Sequence, residues 1–195
     1  MSLITIQNLF FTYDGDHTPV FEDLTLQLDS SWKLGLVGRN GRGKTTLLRL
    51  LAGELEGRGV IAQGQTCLRW PRPVEDPSRR TLDLLLEGVP PEEEWRLSWE
   101  LSKLGLDSEV LATLSGGEQT RALLAALFLN EEAYPMIDEP TNHLDGPGRE
   151  LVSRYLRELD RGFLLVSHDR AFLDGCTDHI LALNHTGPEL VRGTF

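Results

Sequence analysis

The chain has 195 residues, of which 40% are hydrophobic, and its 30 acidic against 19 basic side chains give a net charge of −11. This composition suits one globular domain with a sizeable core, and the acidic balance argues against sequence-independent binding of nucleic acid, because phosphate backbones are held by clustered Lys and Arg. The sequence has no apolar run near the roughly 20 residues of a membrane span, no secretory signal pattern, and only two cysteines, without metal-ligand spacing, so we expect a cytoplasmic protein without zinc or disulfides.

Two β-strands are predicted at the N-terminus. Residues 3–11 and 24–28 combine β-forming side chains with partial alternation of apolar and polar positions. The sequence Asp14-Gly15-Asp16 supplies a turn between them. The fold is therefore expected to start with a strand pair.

A glycine-rich loop joins an apolar run at residues 34–37 to an apolar helical pattern at residues 47–52. Its glycines allow tight turns that aim backbone N–H groups inward, and the following helix adds its positive N-terminal end, so the loop is expected to bind phosphate groups. Lys44 would reach the β- and γ-phosphates, and the Thr45 hydroxyl is placed to ligate Mg²⁺. The loop residues are Gly38, Arg39, Asn40, Gly41, Arg42, Gly43, Lys44, Thr45 and Thr46.

Tyr13 closes the first predicted strand, upstream of this loop. In such a layout its ring could stack on the adenine of a bound nucleotide, a contact worth about 1–3 kcal/mol for bases on aromatic side chains. A tyrosine of the core or of a sheet edge explains the same spacing equally well.

The middle of the chain changes from strands to helices. Residues 57–61 and 66–70 are predicted as short strands, and Pro71, Pro73 and Pro77 end regular structure after them. From residue 81 to 111 the leucine spacing is helical and predicts a small helical lobe, in which Trp95 and Trp99 are expected to pack.

A second helix start follows. Ser115 and Glu118 have the spacing of a capping box, and two glycines between them leave backbone N–H groups uncovered at the positive end of the helix. This segment is a second candidate for phosphate binding, and a site shared between two domains would use both. An ordinary capped helix is the alternative.

Two apolar strands are expected to end in polar side chains on the ligand side of an open α/β sheet. Residues 134–137 lead into Asp138, which could hold Mg²⁺ through water, and Glu139, which could orient or deprotonate a water molecule. Pro135 is placed at the first residue of that strand, because a proline inside a central strand removes a hydrogen bond. Residues 162–166 lead into His168, a candidate hydrogen-bond donor to a γ-phosphate.

The remaining segments complete an alternating pattern. Residues 149–159 are predicted as a helix, Asp169 as the cap of another, and residues 179–183 and 189–191 as a closing hairpin. Strands that alternate with helices indicate an α/β fold.

Taken together, Tyr13, the loop 38–46 and residues 114–119, 137–145 and 167–170 resemble the nucleotide-binding domain of ATP-binding-cassette (ABC) proteins over nearly the whole chain. Within that superfamily, the run Glu139-Pro140-Thr141-Asn142-His143-Leu144-Asp145 and the run Ser167-His168-Asp169-Arg170 resemble the ABC-F branch, whose soluble twin-cassette members act on ribosomes. The phosphate loop and residues 9–15 are most similar to the antibiotic-resistance members of that branch.

The resemblance implies an α/β P-loop NTPase fold of the ABC type. Its parts would be a mostly parallel core sheet with flanking helices, an antiparallel β subdomain, and a small helical subdomain near residues 75–115. All of them would belong to one nucleotide-binding domain, residues 1–195.

The resemblance also implies ATP and Mg²⁺ as ligands, with adenine stacked on Tyr13, Mg²⁺ at Thr45 and Asp138, Glu139 as general base or water-positioning group, and His168 at the γ-phosphate. A second cassette would complete each site, so that two ATP molecules lie between two cassettes. The residues that would reach the partner's nucleotide are Ser115, Gly116, Gly117, Glu118, Gln119, Asn142 and Asp145.

Two departures from the family pattern stand out. Where such domains carry a magnesium-contacting glutamine, this sequence has Trp70-Pro71-Arg72, which leaves Arg72 or no residue in its place. The second cassette and the linker that reaches toward the ribosomal P site are not within these 195 residues. We therefore expect an N-terminal fragment of a twin-cassette protein, mostly monomeric by itself, whose ribosome contacts lie outside it.

Three functions remain open from the sequence. The first is ATP hydrolysis by an ABC-F cassette that protects ribosomes from antibiotics. The second is the ATPase subunit of a membrane transporter, which shares the phosphate loop and residues 114–119. The third is a nucleotide-binding module with little catalysis.

Overall fold

Two β-sheets organise the part of the chain that the computed structural model describes, which comprises residues 2–71, 94–106, 114–184 and 187–193. The first sheet has the strand order β2-β1-β4, and the second has the order β5-β6-β7-β3-β8-β9. The strands are β1 Leu3–Phe11, β2 Phe21–Asp29, β3 Lys33–Val37, β4 Arg58–Gln63, β5 Cys67–Trp70, β6 Tyr134–Asp138, β7 Phe163–Val166, β8 His179–Asn184 and β9 Gly187–Arg192.

The first sheet is antiparallel and confirms the predicted strand pair. β1 lies between β2 and β4, with Ile4 opposite Leu28 on one side and opposite Gln63 on the other. Alternating side chains of β1 are buried, among them Ile4 and Ile6, because one face of this sheet packs on the core.

The second sheet is parallel from β5 to β8, and β9 pairs antiparallel with β8 as the predicted hairpin. Its strand β7 is buried on both faces. Phe163 and Leu165 belong to one apolar cluster, while Leu164 and Val166 belong to the other. Covered faces on both sides explain why this strand has an unbroken apolar sequence.

Helices cover the second sheet. They are α1 Lys44–Leu51, α2 Glu94–Lys103, α3 Gly116–Leu129, α4 Gly146–Glu158 and α5 Arg170–Cys176, with a short 3₁₀ helix at Pro140–His143. Leucines of α1 pack in the cluster that also holds β1 and β2, whereas α2, α3, α4 and α5 contribute to the other cluster. Within the described ranges, no helix is both long and apolar enough to cross a bilayer.

The predicted packing of Trp95 and Trp99 is wrong. Both belong to α2, and they are 67% and 60% exposed. The helix instead buries Leu97 and Leu101, and residues two positions apart on a helix point to nearly opposite sides. Lys103 Nζ lies 5.7 Å from the ring centre of Trp99.

The predicted position of Pro135 is also wrong, by one residue. Pro135 is the second residue of β6, after Tyr134. Pairing of β6 with β5 starts at Tyr134, whereas its pairing with β7 starts at Met136. The missing N–H of the proline thus falls before the ladder with β7, which makes a proline tolerable there.

Some predictions fall outside the described residues. They are the role of Arg72, the chain breaks at Pro73 and Pro77, and the helical pattern at residues 81–93 and 107–111.

Candidate nucleotide-binding site

The candidate site lies where the parallel strands end. β3 leads into the phosphate loop, β6 into Glu139, and β7 into Ser167 and His168. Because β6, β7 and β3 are neighbours and run in the same direction, these three connections meet at one edge of the sheet.

Glycines shape the phosphate loop. Gly41 and Gly43 have φ values of 80° and 81°, in the left-handed region that favours glycine. Gly43 is the N-cap of α1 and provides no side-chain hydrogen bond to the helix. The first N–H groups of α1 are therefore left to a ligand, which is the arrangement that binds anions at helix N-termini.

Lys44 lies across the base of this loop. Its side chain is buried, and Nζ donates to the carbonyl oxygens of Gly38 at 2.7 Å and Arg39 at 3.3 Å. An ammonium has three N–H donors, so one remains for a phosphate oxygen. Thr45, the next residue, is exposed.

Glu139 and His168 form a pair beside the loop. The backbone N–H of His168 donates to Glu139 Oε2 at 3.3 Å, and His168 Nε2 lies 3.2 Å from Glu139 Oε1. This Oε1 is buried and receives no well-aligned hydrogen bond within the described residues. Glu139 itself has a left-handed backbone with φ of 50° and precedes the 3₁₀ helix. A buried carboxylate oxygen without a donor can accept the proton of a water molecule.

Burial raises the pKa of the Glu139 carboxyl above its ordinary value, and the nearby charge of Asp138 raises it further. His168 and Lys44 act in the opposite direction and favour the carboxylate. The charges of the phosphate-loop lysine, the strand-end acid and the histidine thus all act on this one carboxyl group. A base with a raised pKa is closer to the range in which proton transfer from water is efficient.

The donor set fits a hard divalent cation. Thr45 offers an exposed hydroxyl and Asp138 a half-buried carboxylate, and Mg²⁺ prefers oxygen ligands with substrate phosphates and water completing its shell. We therefore keep Thr45 and Asp138 as the residues that would hold it.

Tyr13 lies beside the start of α1. Its hydroxyl is 3.0 Å from Thr46 Oγ1, and its ring meets the ring of Phe11 edge-on. The tyrosine is thus close to the phosphate loop, as stacking on a bound base would require. Sequence reasoning missed the contact with Thr46, because no local pattern links positions on a strand and on a helix.

The predicted capping box at the start of α3 is confirmed. Ser115 Oγ donates to Glu118 Oε2 at 2.6 Å, and the backbone N–H groups of both residues complete the box. Gln119 Nε2 donates to the carbonyl of Leu114. The Ser115 hydroxyl is therefore occupied by its own helix in the isolated chain.

This helix start shares a groove of about 380 Å³ with the loop after β6. A Cβ on Gly117 would lie 2.9 Å from the carbonyl oxygen of His143, so the two segments touch. Asn142 and Asp145 are exposed nearby in sequence, and no phosphate-loop residue lines the groove. The residues that line it are Ser115, Gly117, Glu118, Arg121, His143, Leu144 and Asp145.

The predicted site residues thus form two groups in this chain. Tyr13, the phosphate loop, Asp138, Glu139 and His168 form the first, and residues 115–119 with 142–145 form the second. Sequence reasoning had not singled out Arg121, which also lines the groove of the second group.

Comparison with known proteins agrees with this geometry. The ABC transporter family matches residues 21–142. The ATP-binding protein Uup of Caulobacter vibrioides is 36% identical over 172 residues, which cover 86% of this chain and 28% of that protein. The ATP-binding cassette sub-family F member 3 of Homo sapiens is 33% identical over 205 residues, covering 99% of this chain and 28% of that protein. The chain thus spans little more than a quarter of the length of these two relatives.

Solved structures show the same fold. The structure of an ATP-binding subunit of an ABC transporter matches with a TM-score of 0.80 at 24% identity, over 99% of this chain and 90% of that chain. A bacterial Atm1-family ABC exporter with ATP bound matches with a TM-score of 0.81 at 17% identity, over 99% of this chain and 39% of that chain.

The fold and the phosphate loop together assign this chain to the class of P-loop ATPase domains of the ABC type. The chain belongs to the ABC transporter family, and its predicted resemblance to the ABC-F branch is confirmed by its relatives.

Proposed function

We propose that this chain is an ATP-hydrolysing cassette of an ABC-F protein that acts on the ribosome and protects it from antibiotics. The observation that supports hydrolysis best is the Glu139 carboxyl, whose buried Oε1 has no well-aligned donor among the residues that the structure describes. Lys44, Asp138 and His168 act on its charge. This is the environment of a base beside a phosphate-binding loop.

In the proposed reaction, Glu139 orients a water molecule and accepts its proton as the water oxygen bonds to the γ-phosphorus. The bond from that phosphorus to the β-γ bridging oxygen breaks, and ADP leaves. Lys44 and the N–H groups of α1 stabilise the charge on the phosphate oxygens, and His168 can donate to one of them. Bound Mg²⁺, held by Thr45 and Asp138, would neutralise charge on the β- and γ-phosphates.

A second cassette is part of the proposal. The phosphate loop lies in one group of site residues and the Ser115 helix in the other, and no phosphate-loop residue lines the groove of the second group. If the second group of one cassette faces the loop of another, the N-terminus of α3 would approach the γ-phosphate. The proposed protein therefore carries two cassettes, of which this chain is one, and nucleotide closes the interface between them.

The catalytic assignment is tested in the twin-cassette protein with Glu139→Gln. The amide keeps the size and the acceptor for the His168 N–H but cannot take the proton, so we expect hydrolysis to slow by about 100-fold or more. The variant should accumulate an ATP-bound closed form. Glu150→Gln on the exposed face of α4 is the matched control and should hydrolyse ATP like the parent protein. Unchanged turnover in Glu139→Gln would remove Glu139 from its role.

Ribosome action is tested separately. The similarity to Uup and to a sub-family F member motivates it. Steady-state hydrolysis should rise when ribosomes are added, and antibiotic-stalled ribosomes should resume synthesis with the parent protein and not with Glu139→Gln. Hydrolysis that responds to a co-purified membrane partner and not to ribosomes would instead favour a transporter subunit.

A further inference from the structure

A hydrogen bond joins the two places where the base and the phosphates of a nucleotide would be held. Tyr13 follows β1 in the antiparallel sheet, and Thr46 lies in the first turn of α1. Their hydroxyl oxygens are 3.0 Å apart, and the contact joins residues 33 positions apart in sequence. Thr46 is buried, with 6% of its surface exposed.

The ring of Tyr13 has a fixed orientation for a second reason. Phe11 meets it edge-on, with ring centres 4.9 Å apart and planes at 85°. With the ring packed perpendicular to that of Phe11 and its hydroxyl bonded to Thr46, the plane of the Tyr13 ring is set before any ligand arrives. Pre-set aromatic faces bind with a smaller loss of conformational entropy.

The contact is part of a direct packing of the β1–β2 hairpin on the phosphate loop. A Cβ added to Gly43 would lie 2.6 Å from Val20 and 2.7 Å from Phe21. Apolar side chains at the start of β2 thus touch the N-cap of α1, and the Tyr13–Thr46 bond supplies the polar contact beside them.

We infer that the Tyr13 hydroxyl is a positioning group for nucleotide binding, which donates to Thr46 Oγ1 and couples the aromatic face for the base to the phosphate-binding turn of α1. When Thr46 Oγ1 accepts this hydrogen bond, the hydrogen of its own hydroxyl is left for a phosphate oxygen. This role is distinct from stacking, because a phenylalanine would provide the same face. The inference rests on the proposed binding of ATP.

The test measures Mg·ATP affinity of the 195-residue chain by calorimetry, with Tyr13→Phe as the main variant. A neutral hydrogen bond is worth about 1 kcal/mol, so we expect about a five-fold loss of affinity. Thr46→Val should cause at least this loss, because it also removes the hydroxyl hydrogen that is left for a phosphate oxygen. The double variant should lose no more than Thr46→Val alone, because the two hydroxyls act as one unit. Thr46→Ser keeps the hydroxyl and should bind several-fold more tightly than Thr46→Val.

Tyr155→Phe is the matched control. Tyr155 has a buried ring, and like Tyr13 it forms a hydrogen bond through its hydroxyl, which donates to Glu100 at 2.7 Å between α4 and α2. Removal of the Tyr155 hydroxyl should lower the melting temperature of the chain without changing its affinity for Mg·ATP.

Two results would overturn the inference. One is a Tyr13→Phe chain with the affinity of the parent, whether or not its melting temperature falls. The other is a double variant whose losses multiply, since the hydroxyls would then act independently. Failure of the proposed function looks different, because the parent chain would then show no Lys44-dependent uptake of Mg·ATP at all.

Discussion

The burial that suits Glu139 for its proposed role as a base also lowers the folding stability of the protein when the carboxyl is ionised. The Glu139 carboxyl is partly buried, which raises its pKa and favours the protonated form. A group whose pKa rises on folding destabilises the protein once the pH exceeds its unfolded pKa, so ionised Glu139 costs folding free energy near neutral pH. Such a cost is common at sites where a base must be held away from bulk water.

The pH dependence of hydrolysis follows from the same burial. A general base works when deprotonated, so the rate should rise with pH through the raised pKa of Glu139. Because His168 holds this pKa down, His168→Ala should move the rising limb to higher pH. Single-turnover hydrolysis by the twin-cassette protein, measured across pH, gives the position of that limb.

His17→Ala provides the control for that profile. His17 is exposed in the turn between β1 and β2, and its removal should leave the limb in place. A limb that moves to lower pH in His168→Ala, or that persists in Glu139→Gln, contradicts the assignment of the base.

At the scale of elements, the junction of the phosphate loop with α1 depends on two glycines with almost equal backbone angles. Gly41 and Gly43 have φ of 80° and 81°, but a Cβ would meet nothing within 4 Å at Gly41, whereas at Gly43 it would contact Val20 and Phe21. Any L-residue in this region costs about 1–2 kcal/mol. The difference between the two positions therefore isolates the packing of the hairpin on the loop.

We expect Gly41→Ala to destabilise the chain by about 1–2 kcal/mol through backbone strain alone. Gly43→Ala should cost about 1–3 kcal/mol more, because overpacking adds to the strain. Urea unfolding of the three chains measures both values. Equal losses for the two variants would show that the hairpin does not constrain the loop.

The two tryptophans of α2 show what sequence periodicity can and cannot predict. The leucine spacing correctly predicts the buried face with Leu97 and Leu101. Aromatic residues are usually buried, and that tendency misled the prediction for Trp95 and Trp99. Which residues of a helix are buried depends on the elements that pack against it, and the local sequence does not identify those elements.

At the scale of the whole molecule, the sequence predicted most of what local chemistry determines. The glycine loop, the Ser115 capping box, the Asp169 cap and the polar residues after β6 and β7 all have signals within a few positions. Long-range contacts have no such signal. The Tyr13–Thr46 bond had no local signal at all, and for Glu139 and His168 the strand ends predicted a shared edge of the sheet but not the direct contact between the two residues.

In this chain the phosphate loop and the Ser115 helix start belong to separate groups of site residues. The phosphate loop provides N–H groups and a lysine, and the Ser115 hydroxyl is bonded to Glu118 within its own helix. A partner's nucleotide would have to compete for that hydroxyl, so we expect the separate chain to bind ATP as a monomer and to hydrolyse it poorly.

The central claim is that a triphosphate is held by the backbone of the loop and by Lys44, and calorimetric titration of the 195-residue chain with Mg·ATP tests it most directly. We expect one nucleotide to bind per chain. Lys44→Ala should reduce affinity by about 100-fold, because it removes a buried, charged hydrogen-bond donor. Lys103→Ala, on the exposed side of α2, should bind like the parent. Absent uptake by the parent, or unchanged uptake by Lys44→Ala, would contradict the account.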